Sequence, residues 1–383
     1  MKNLFVLLLL CLCSEIILPQ NSQKIPDYFY KRLEGKINDT LNIQMNLTRM
    51  DSVLDGNYYY DNIGEPIYFQ YYSYMRDDGS IHIEEEGGYD EEYNTIITGI
   101  FDGKFTSPGE IEGSWISPDS SETYSFTLKE AYPAGSAKFD IKHLDKNYGE
   151  SDYSDYAASS ELSYPMMIDF PDKNVQQKIN SFIINFYVNG SMQGDNGYSD
   201  INDRMESFIE DYRTEIEADS EFFKDYKPVY EDNQFTSIAF NSDNILSLEI
   251  SEYIYTGGAH GNSSFSLYSF NLENGEQITL NDIFMGNYKA VLNKVGEKIF
   301  REHYQTDSTQ SLYDQGFFGF ENGFALNDNF DLYKGGIKFQ FNPYEAGAYV
   351  LGAPEVFIPW SEIMDIIRDE SPLGRMLKNS QSR

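Results

Sequence analysis

An α+β fold is predicted: an antiparallel β meander or small barrel comes first, then a domain with three main helices and an antiparallel sheet. Three observations predict it. Residues 28–130 alternate apolar and polar side chains between tight-turn signals, with no helical period of useful length. Residues 174–216 carry two amphipathic helical stripes. Beyond residue 226 the alternation returns, interrupted by one more helical stripe, and helices followed by strands is an α+β ordering. The chain has 383 residues, enough for two domains. Hydrophobic residues make up 40% and aromatic residues 16%, enough to build sizeable cores.

The chain opens on a leader. Lys2 supplies a positive start, Leu4 to Cys13 form an apolar run too short to span a bilayer, and Ser14 and Glu15 end it. Residues 1–23 therefore read as a signal peptide, which predicts export to the periplasm or the bacterial cell surface. Cys11 and Cys13 both satisfy the small-residue rule at a cleavage site before Ser14. A lipid anchor at Cys13 is weakly supported, because Leu12 stands where a small residue is needed. Both cysteines lie in this leader, so a mature chain cut beyond Cys13 has no disulfide, thiolate nucleophile or cysteine zinc ligand. No later segment is apolar enough to be a transmembrane span.

Residues 24–130 are predicted all-β. Candidate strands are Arg32–Ile37, Leu41–Arg49, Val53–Tyr60, Pro66–Met75, Ser80–Glu86, Thr95–Phe101, Glu110–Ile116 and Thr123–Lys129. Turn pairs such as Asp55-Gly56, Asp78-Gly79 and Pro108-Gly109 punctuate them. Gly99 to Phe105 reads as a strand, an Asp102-Gly103 turn and a second strand; it lacks the Lys-Ser/Thr pair and helix of a phosphate loop. Tyr58, Tyr59, Tyr60, Tyr68, Tyr71, Tyr72 and Tyr74 place phenols on both faces of two adjacent strands. One face is core. The other suits stacking on sugars or holding basic side chains, although tyrosine is also simply a good strand former.

Residues 131–160, with Pro133, Gly135, Gly149 and a Ser/Asp/Tyr cluster, read as an acidic linker. The second domain spans 161–372 and residues 373–383 are a tail. Val175, Ile179, Phe182, Ile183 and Phe186 fall on one face of its first helix, with Asp172 or Asn174 as cap. Ile201, Met205, Phe208, Ile209, Tyr212 and Ile216 form the stripe of its second. Strands follow near 226–231, 235–241, 245–255 and 263–271, a third helix over 287–304, then strands near 324–327, 336–341 and 356–359 and a short helix from Trp360 to Arg368.

The net charge of −34 repels phosphate backbones and anionic lipid, which argues against a nucleic-acid partner, and it attracts cationic proteins. The plain alternative is solubility outside the cell. The four histidines, His82, His143, His260 and His303, show no metal-ligand spacing. Asp195, Asp200 and Asp203 lack the calcium-loop order, and no cofactor is implied. Glu84 to Glu86 and Asp90 to Glu92 read as solvated faces. His260 alone sits in a glycine-rich loop, between Gly257, Gly258 and Gly261. Those glycines permit positive φ or close backbone approach, as a tight strand connection or as a loop that inserts into a partner. A hydrolase would pair His260 with Ser263 or Ser264 and Asp282, but no G-x-S-x-G elbow exists.

One further pattern spans this half of the chain. It comprises Tyr255-Thr256-Gly257-Gly258-Ala259-His260-Gly261-Asn262, Phe270-Asn271-Leu272, Ile278 to Phe284, Phe339 to Glu345, Gly352 and Val356 to Trp360. Residues 160–370 thereby resemble the extracytoplasmic domain of unknown function shared by the lysozyme-sensing anti-sigma-V factor and the N-terminal region of some peptidoglycan deacetylases. The resemblance implies an α+β fold and a non-catalytic binding role, with lysozyme-like cationic proteins or cell-wall glycan as ligand. A sigma-binding segment, a spanning helix and a following deacetylase domain are missing here, so an anti-sigma role does not carry over. The ligand contacts expected are Tyr255, Thr256, Gly257, Gly258, His260, Gly261, Asn262, Asn342, Tyr344 and Glu345. The alternatives are a wall-directed hydrolase or deacetylase using His260 as base and Asp282 as orienter, and a structural envelope protein.

Overall fold

The structure, a computed structural model, describes residues 24–89, 94–150, 157–189, 198–218, 223 and 228–381. The leader with Cys11 and Cys13, the acidic residues Asp90, Glu91 and Glu92, Asp195 and residues 151–156 of the Ser/Asp/Tyr cluster lie outside the described residues.

Nine strands make up the first unit: β1 (Tyr28–Ile37), β2 (Leu41–Met50), β3 (Val53–Tyr60), β4 (Ile67–Tyr68), β5 (Tyr74–Met75), β6 (Ser80–Tyr89), β7 (Thr95–Ser107), β8 (Glu110–Ile116) and β9 (Thr123–Glu130). Pairing runs β2-β1-β9-β8-β7-β6-β5-β3, and β3 returns to β2, so eight antiparallel strands close into a barrel with β4 attached to β3. Leu33, Met45, Tyr58, Ile83, Phe101 and Phe126 fill the interior, as a small closed barrel requires.

Two local readings are corrected here. Gly99 to Phe105 lies within the unbroken β7, not at a turn. A Cβ at Gly103 would sit 2.7 Å from the Phe126 ring, so this glycine makes room for a core aromatic across the barrel. The stretch Pro66–Met75 is not one strand. Two-residue strands β4 and β5 flank a loop that leaves Tyr71 and Tyr72 78% and 73% exposed.

The second unit begins inside the stretch that composition reads as a linker. Its elements are β10 (Lys138–Tyr148), β11 (Ala158–Ile168), α1 (Lys173–Asn189), α2 (Ile201–Ala218), β12 (Tyr230–Ser242), β13 (Ile245–Thr256), β14 (Asn262–Asn271) and β15 (Glu276–Gln277). Alternation in β10 is real: Phe139 and Ile141 are buried between exposed charged residues. The sheet runs in chain order and is antiparallel except for β11 and β12, which are parallel and joined through the two helices. Asp172 caps α1, accepting from the Asn174 and Val175 amides at 2.8 and 3.4 Å. The apolar stripe of α1 (Val175, Ile179, Ile183) packs with Leu162, Leu246, Leu248 and Ile250 of the sheet, and this burial, rather than helix propensity, holds the helix in place.

The third layer contains α3 (Leu280–Ile283), α4 (Tyr288–His303), β16 (Phe330–Leu332), β17 (Gly336–Gln340), β18 (Glu355–Pro359) and α5 (Pro372–Gln381). The strands form a separate antiparallel sheet. Phe300 of α4 packs with Phe317, Phe320 and Phe341. Residues 324–327 are not a strand; β16 lies just after them. The Trp360–Arg368 stretch forms two short 3-10 turns, and the expected tail is α5, which buries Leu373 and Met376. No described helix is long and apolar enough to cross a membrane.

The barrel is fused to the rest of the chain through buried polar side chains. Strand β2 is buried on both faces: Ile43, Met45 and Leu47 line the barrel, while Gln44, Asn46 and Thr48 are buried on the alternate positions. Asn46 and Asn57 donate to the Ala239 carbonyl at 3.1 and 3.0 Å. Arg32, 1% exposed, donates through Nε to Asn241 O at 2.9 Å and through Nη2 to Gln44. A second contact lies at Lys338, 2% exposed, which donates to Glu249 at 2.6 Å and lies 3.5 Å from Glu355. Tyr333 also donates to Glu249, and Tyr68 of the barrel bonds Tyr333 at 2.6 Å between hydroxyls. Burial disfavours charge here, but the Lys338 ammonium outweighs it and holds Glu249 below its ordinary value. Burial and the Glu249 carboxylate push neighbouring Asp331 well above its ordinary value.

Candidate functional site

Strands β13 and β14 form the central hairpin of the six-stranded sheet, with Ile254 opposite Asn262 and Tyr253 opposite Ser263. Residues 257–261 connect them. Gly257 and Gly258 take φ of +90° and +97°, where a side chain would be strained. At Gly261 a Cβ would lie 2.4 Å from Tyr253 ring atoms, so that glycine lets the backbone lie against the ring. Both uses of glycine expected from the sequence are present.

Thr256, Gly258, Ala259, His260 and Asn262 are exposed, which makes His260 part of a hairpin tip rather than the floor of a pocket. Its Nδ1 lies 2.8 Å from the Gly261 carbonyl. A carbonyl only accepts, so Nδ1 carries the proton, and Nε2 accepts from the Tyr344 hydroxyl at 3.3 Å. The imidazole stacks on Tyr349 with centroids 4.1 Å apart and planes 16° apart. Tyr349 donates to Gly261 O at 3.1 Å, and Tyr255 donates to Gly258 O at 3.0 Å. His260, Tyr344 and Tyr349 therefore form one aromatic cluster at the tip.

The tract Asn342 to Glu345 meets this loop, but its residues divide the work. Asn342 accepts from the Phe265 amide at 2.6 Å and donates to the Phe265 carbonyl at 3.3 Å, standing in for a strand neighbour along β14. Glu345 accepts from the Asn342 amide and from Asn327 Nδ2, at 2.8 and 2.9 Å. Asn342 ties this tract to the six-stranded sheet, and Glu345 fixes the loop around it. Tyr344, 51% exposed and at φ +70°, is the residue they display. Beside it, Asn262, Ser263, Ser266, Pro343 and Tyr349 line an open groove of about 410 Å³.

Asp282 and Ser264, two residues of a hydrolytic reading, are engaged elsewhere. Asp282 accepts from Thr279 N and Oγ1 at 2.8 and 2.7 Å, capping α3. Ser264 is buried and donates to Glu252 at 3.0 Å. Asp200 and Asp203 cap the start of α2, accepting from Asp203 N and Ser199 N at 3.0 and 2.9 Å. Among the described residues no three His, Cys, Asp or Glu side chains converge on a metal-binding position. Tyr349 is the contact that sequence reasoning missed. It lies 88 residues from Gly261, and only its place in the same Gly- and Pro-rich loop as Tyr344 hints at a shared role.

Fold and site together define an α+β module that presents an aromatic hairpin tip, with a closed barrel fused to it. Comparison with known proteins is consistent with this. Residues 151–263 match the family model "Deacetylase PdaC", and residues 281–361 match "Protein of unknown function (DUF3298)". The expected resemblance to a deacetylase-associated domain of unknown function is thereby borne out. The tip lies at the end of the first match, and Tyr344 and Tyr349 lie in the second, so both segments build the site. Among solved structures, a DUF3298 family member from Bacteroides fragilis is similar at 22% identity and a TM-score of 0.54, covering 63% of this chain and 98% of its own. A DUF3298 family protein from Pseudomonas aeruginosa PAO1 is similar at 12% identity and a TM-score of 0.45, covering 61% of this chain and 97% of its own. At 22% identity the likeness to the Bacteroides fragilis protein is one of fold. No curated protein matches the chain.

Proposed function

We propose that this chain is an exported bacterial envelope protein that binds its target without breaking bonds in it, at the periplasmic face or cell surface. The target is a cationic, wall-directed protein of the lysozyme kind, and peptidoglycan is the second choice. One observation carries the reading: His260, Tyr344 and Tyr349 form an exposed aromatic tip on a body of net charge −34. The acidic body steers a cationic partner inward, and the aromatic tip supplies the contact area that commonly dominates interfaces. The partners of His260 favour binding over catalysis. Its ring atoms engage a carbonyl and a phenol, and Asp282 and Ser264 serve other bonds. A general base needs an orienting partner and a proton to take.

The test is retention of hen lysozyme by the immobilised chain at low and high salt. Retention that weakens with salt, and falls at least about tenfold in His260→Ala and Tyr344→Ala, is the expected result. No retention at either ionic strength removes the lysozyme version. Turnover of wall glycan that is lost in folded His260→Ala establishes the hydrolase instead.

A further inference from the structure

Strand β14 has an outer edge that the chain covers with side chains, except at the tip. The β13–β14 ladder runs from Ile254 opposite Asn262 to Ile245 opposite Asn271 without a register shift. Residues that turn both N–H and C=O away from β13 therefore recur at every second position. Phe265 and Leu267 are two of them, and their amides donate to Asn342 and Asn329 at 2.6 and 2.8 Å. Ser263 is the next outward position towards the tip. Among the described residues nothing bonds its main-chain N–H or C=O, and it lines the groove of about 410 Å³ beside Tyr344. We propose that this groove binds an uncharged primary carboxamide, presented as an asparagine or glutamine side chain by the protein that docks at the tip.

The chain itself shows how such a group is held. The Asn342 carboxamide accepts from Phe265 N and, through its own Nδ2, donates to Phe265 O at 3.3 Å, so one amide satisfies both main-chain groups of one residue. A second carboxamide makes the same pair of bonds two residues further along, its oxygen accepting from Ser263 N and its NH₂ donating to Ser263 O. This geometry needs an N–H on the same side as the carbonyl, which a primary carboxamide has. A trans peptide amide holds the two on opposite sides and cannot make both bonds to one residue.

Other ligands match the edge less well. A peptide added as a strand draws its affinity from a run of main-chain bonds, and the opening is one residue long. On one side Gly261 O already accepts from Tyr349 and His260; on the other Phe265 is held by Asn342. A carboxylate only accepts and an ammonium only donates, so each leaves one Ser263 group unmet. No described residue lining the groove is charged, so neither ion finds a countercharge in the lining. The exposed Tyr344 ring supplies an apolar wall for the methylene stem of an asparagine or glutamine. The proposal rests on the reading of the tip as a protein-binding surface, and it adds the side-chain chemistry that the partner must present there.

The test titrates the full chain with Nα-acetyl-glutamine N-methylamide, its glutamate counterpart and its side-chain N-methylated form, following the amide chemical shifts of Ser263 and Tyr344. The glutamine probe is expected to move both shifts and to bind about tenfold more tightly than the other two. Ser263→Pro removes the outward N–H without breaking a ladder bond, as proline does on sheet edges, and should weaken the glutamine probe about tenfold. Ser263→Ala keeps that N–H and should leave binding unchanged. Tyr344→Ala should weaken it about three- to tenfold. The probe series on the unaltered chain decides the matter even where the proline variant does not fold. Probe binding without retention of lysozyme supports the carboxamide site and removes only the lysozyme partner. Equal binding of the three probes, or shifts that leave Ser263 unmoved, overturns the proposal whatever lysozyme does. Tighter binding of L-alanyl-D-isoglutamine, an amidated wall peptide, than of the glutamine probe overturns the assignment to a protein partner.

Discussion

Two groups of carboxyl side chains occupy the boundary between barrel and C-terminal module, and they are built in opposite ways. Around Lys338 the group is sealed: Glu249 accepts from an ammonium and from Tyr333, and Asp331, pushed up by burial, lies fully buried beside them. Around Asp55 and Glu252 the group opens on a cleft and the donors are uncharged. A buried charge pairs or neutralises, or it costs free energy. The first group follows that rule within the chain. The second is held by amide and hydroxyl donors at the edge of a cleft, a softer arrangement than an ion pair.

The largest effect that would break this contrast is expected from Lys338→Met. It removes the cation from among Glu249, Glu355 and Asp331, and should destabilise by about 3–5 kcal/mol in urea unfolding. A neutral result would mean that charge pairing does not hold the sealed group. Asp55→Asn should act in the other direction. Burial is the main cause that raises Asp55 from 3.8 to about 6, with Ser237 opposing it and Glu249 adding to it. Below about pH 4 both folded and unfolded chains hold this proton, so stability carries no penalty. As pH rises to about 6 the unfolded chain ionises first and stability falls, and above that the loss is complete. The variant should therefore gain about 1–3 kcal/mol at pH 8 and almost nothing at pH 4, read from denaturant midpoints at the two values. An equal gain at both would assign the effect to packing. The smallest effect is expected at the tip, where Tyr344→Gly relieves a positive φ and should change stability by about 1 kcal/mol or less while removing lysozyme retention. A large loss of stability there would make the tyrosine a structural prop.

The hairpin of β13 and β14 was readable almost residue by residue, because Leu246, Leu248 and Ile250 alternate with polar neighbours and glycines mark the turn. The barrel strands were readable for the same reason. Closure was not, since the return pairing of β2 with β3 depends on register and twist rather than composition. Strand β10 was hidden by the prolines, glycines and charges around it, although Phe139 and Ile141 keep a period of two. Asp102-Gly103 has turn composition, yet it is strand because Phe126 needs the space. At the site, His260 and Tyr344 were both singled out from the chain. The division of labour within 342–345 was not visible, because whether Asn342 faces a ligand or bonds Phe265 is decided by a strand nearly eighty residues earlier.

The ring of eight strands also has a consequence for synthesis. Its first strand finds one neighbour at once in β2, but the other is β9, which ends at Glu130. Until that residue has been polymerised, the first strand keeps an unpaired edge, and such an edge recruits foreign strands. A chaperone that shields extended polypeptide would have its greatest effect on chains halted before that point, and a truncation ending near Tyr124 should aggregate where one ending beyond Ala131 does not.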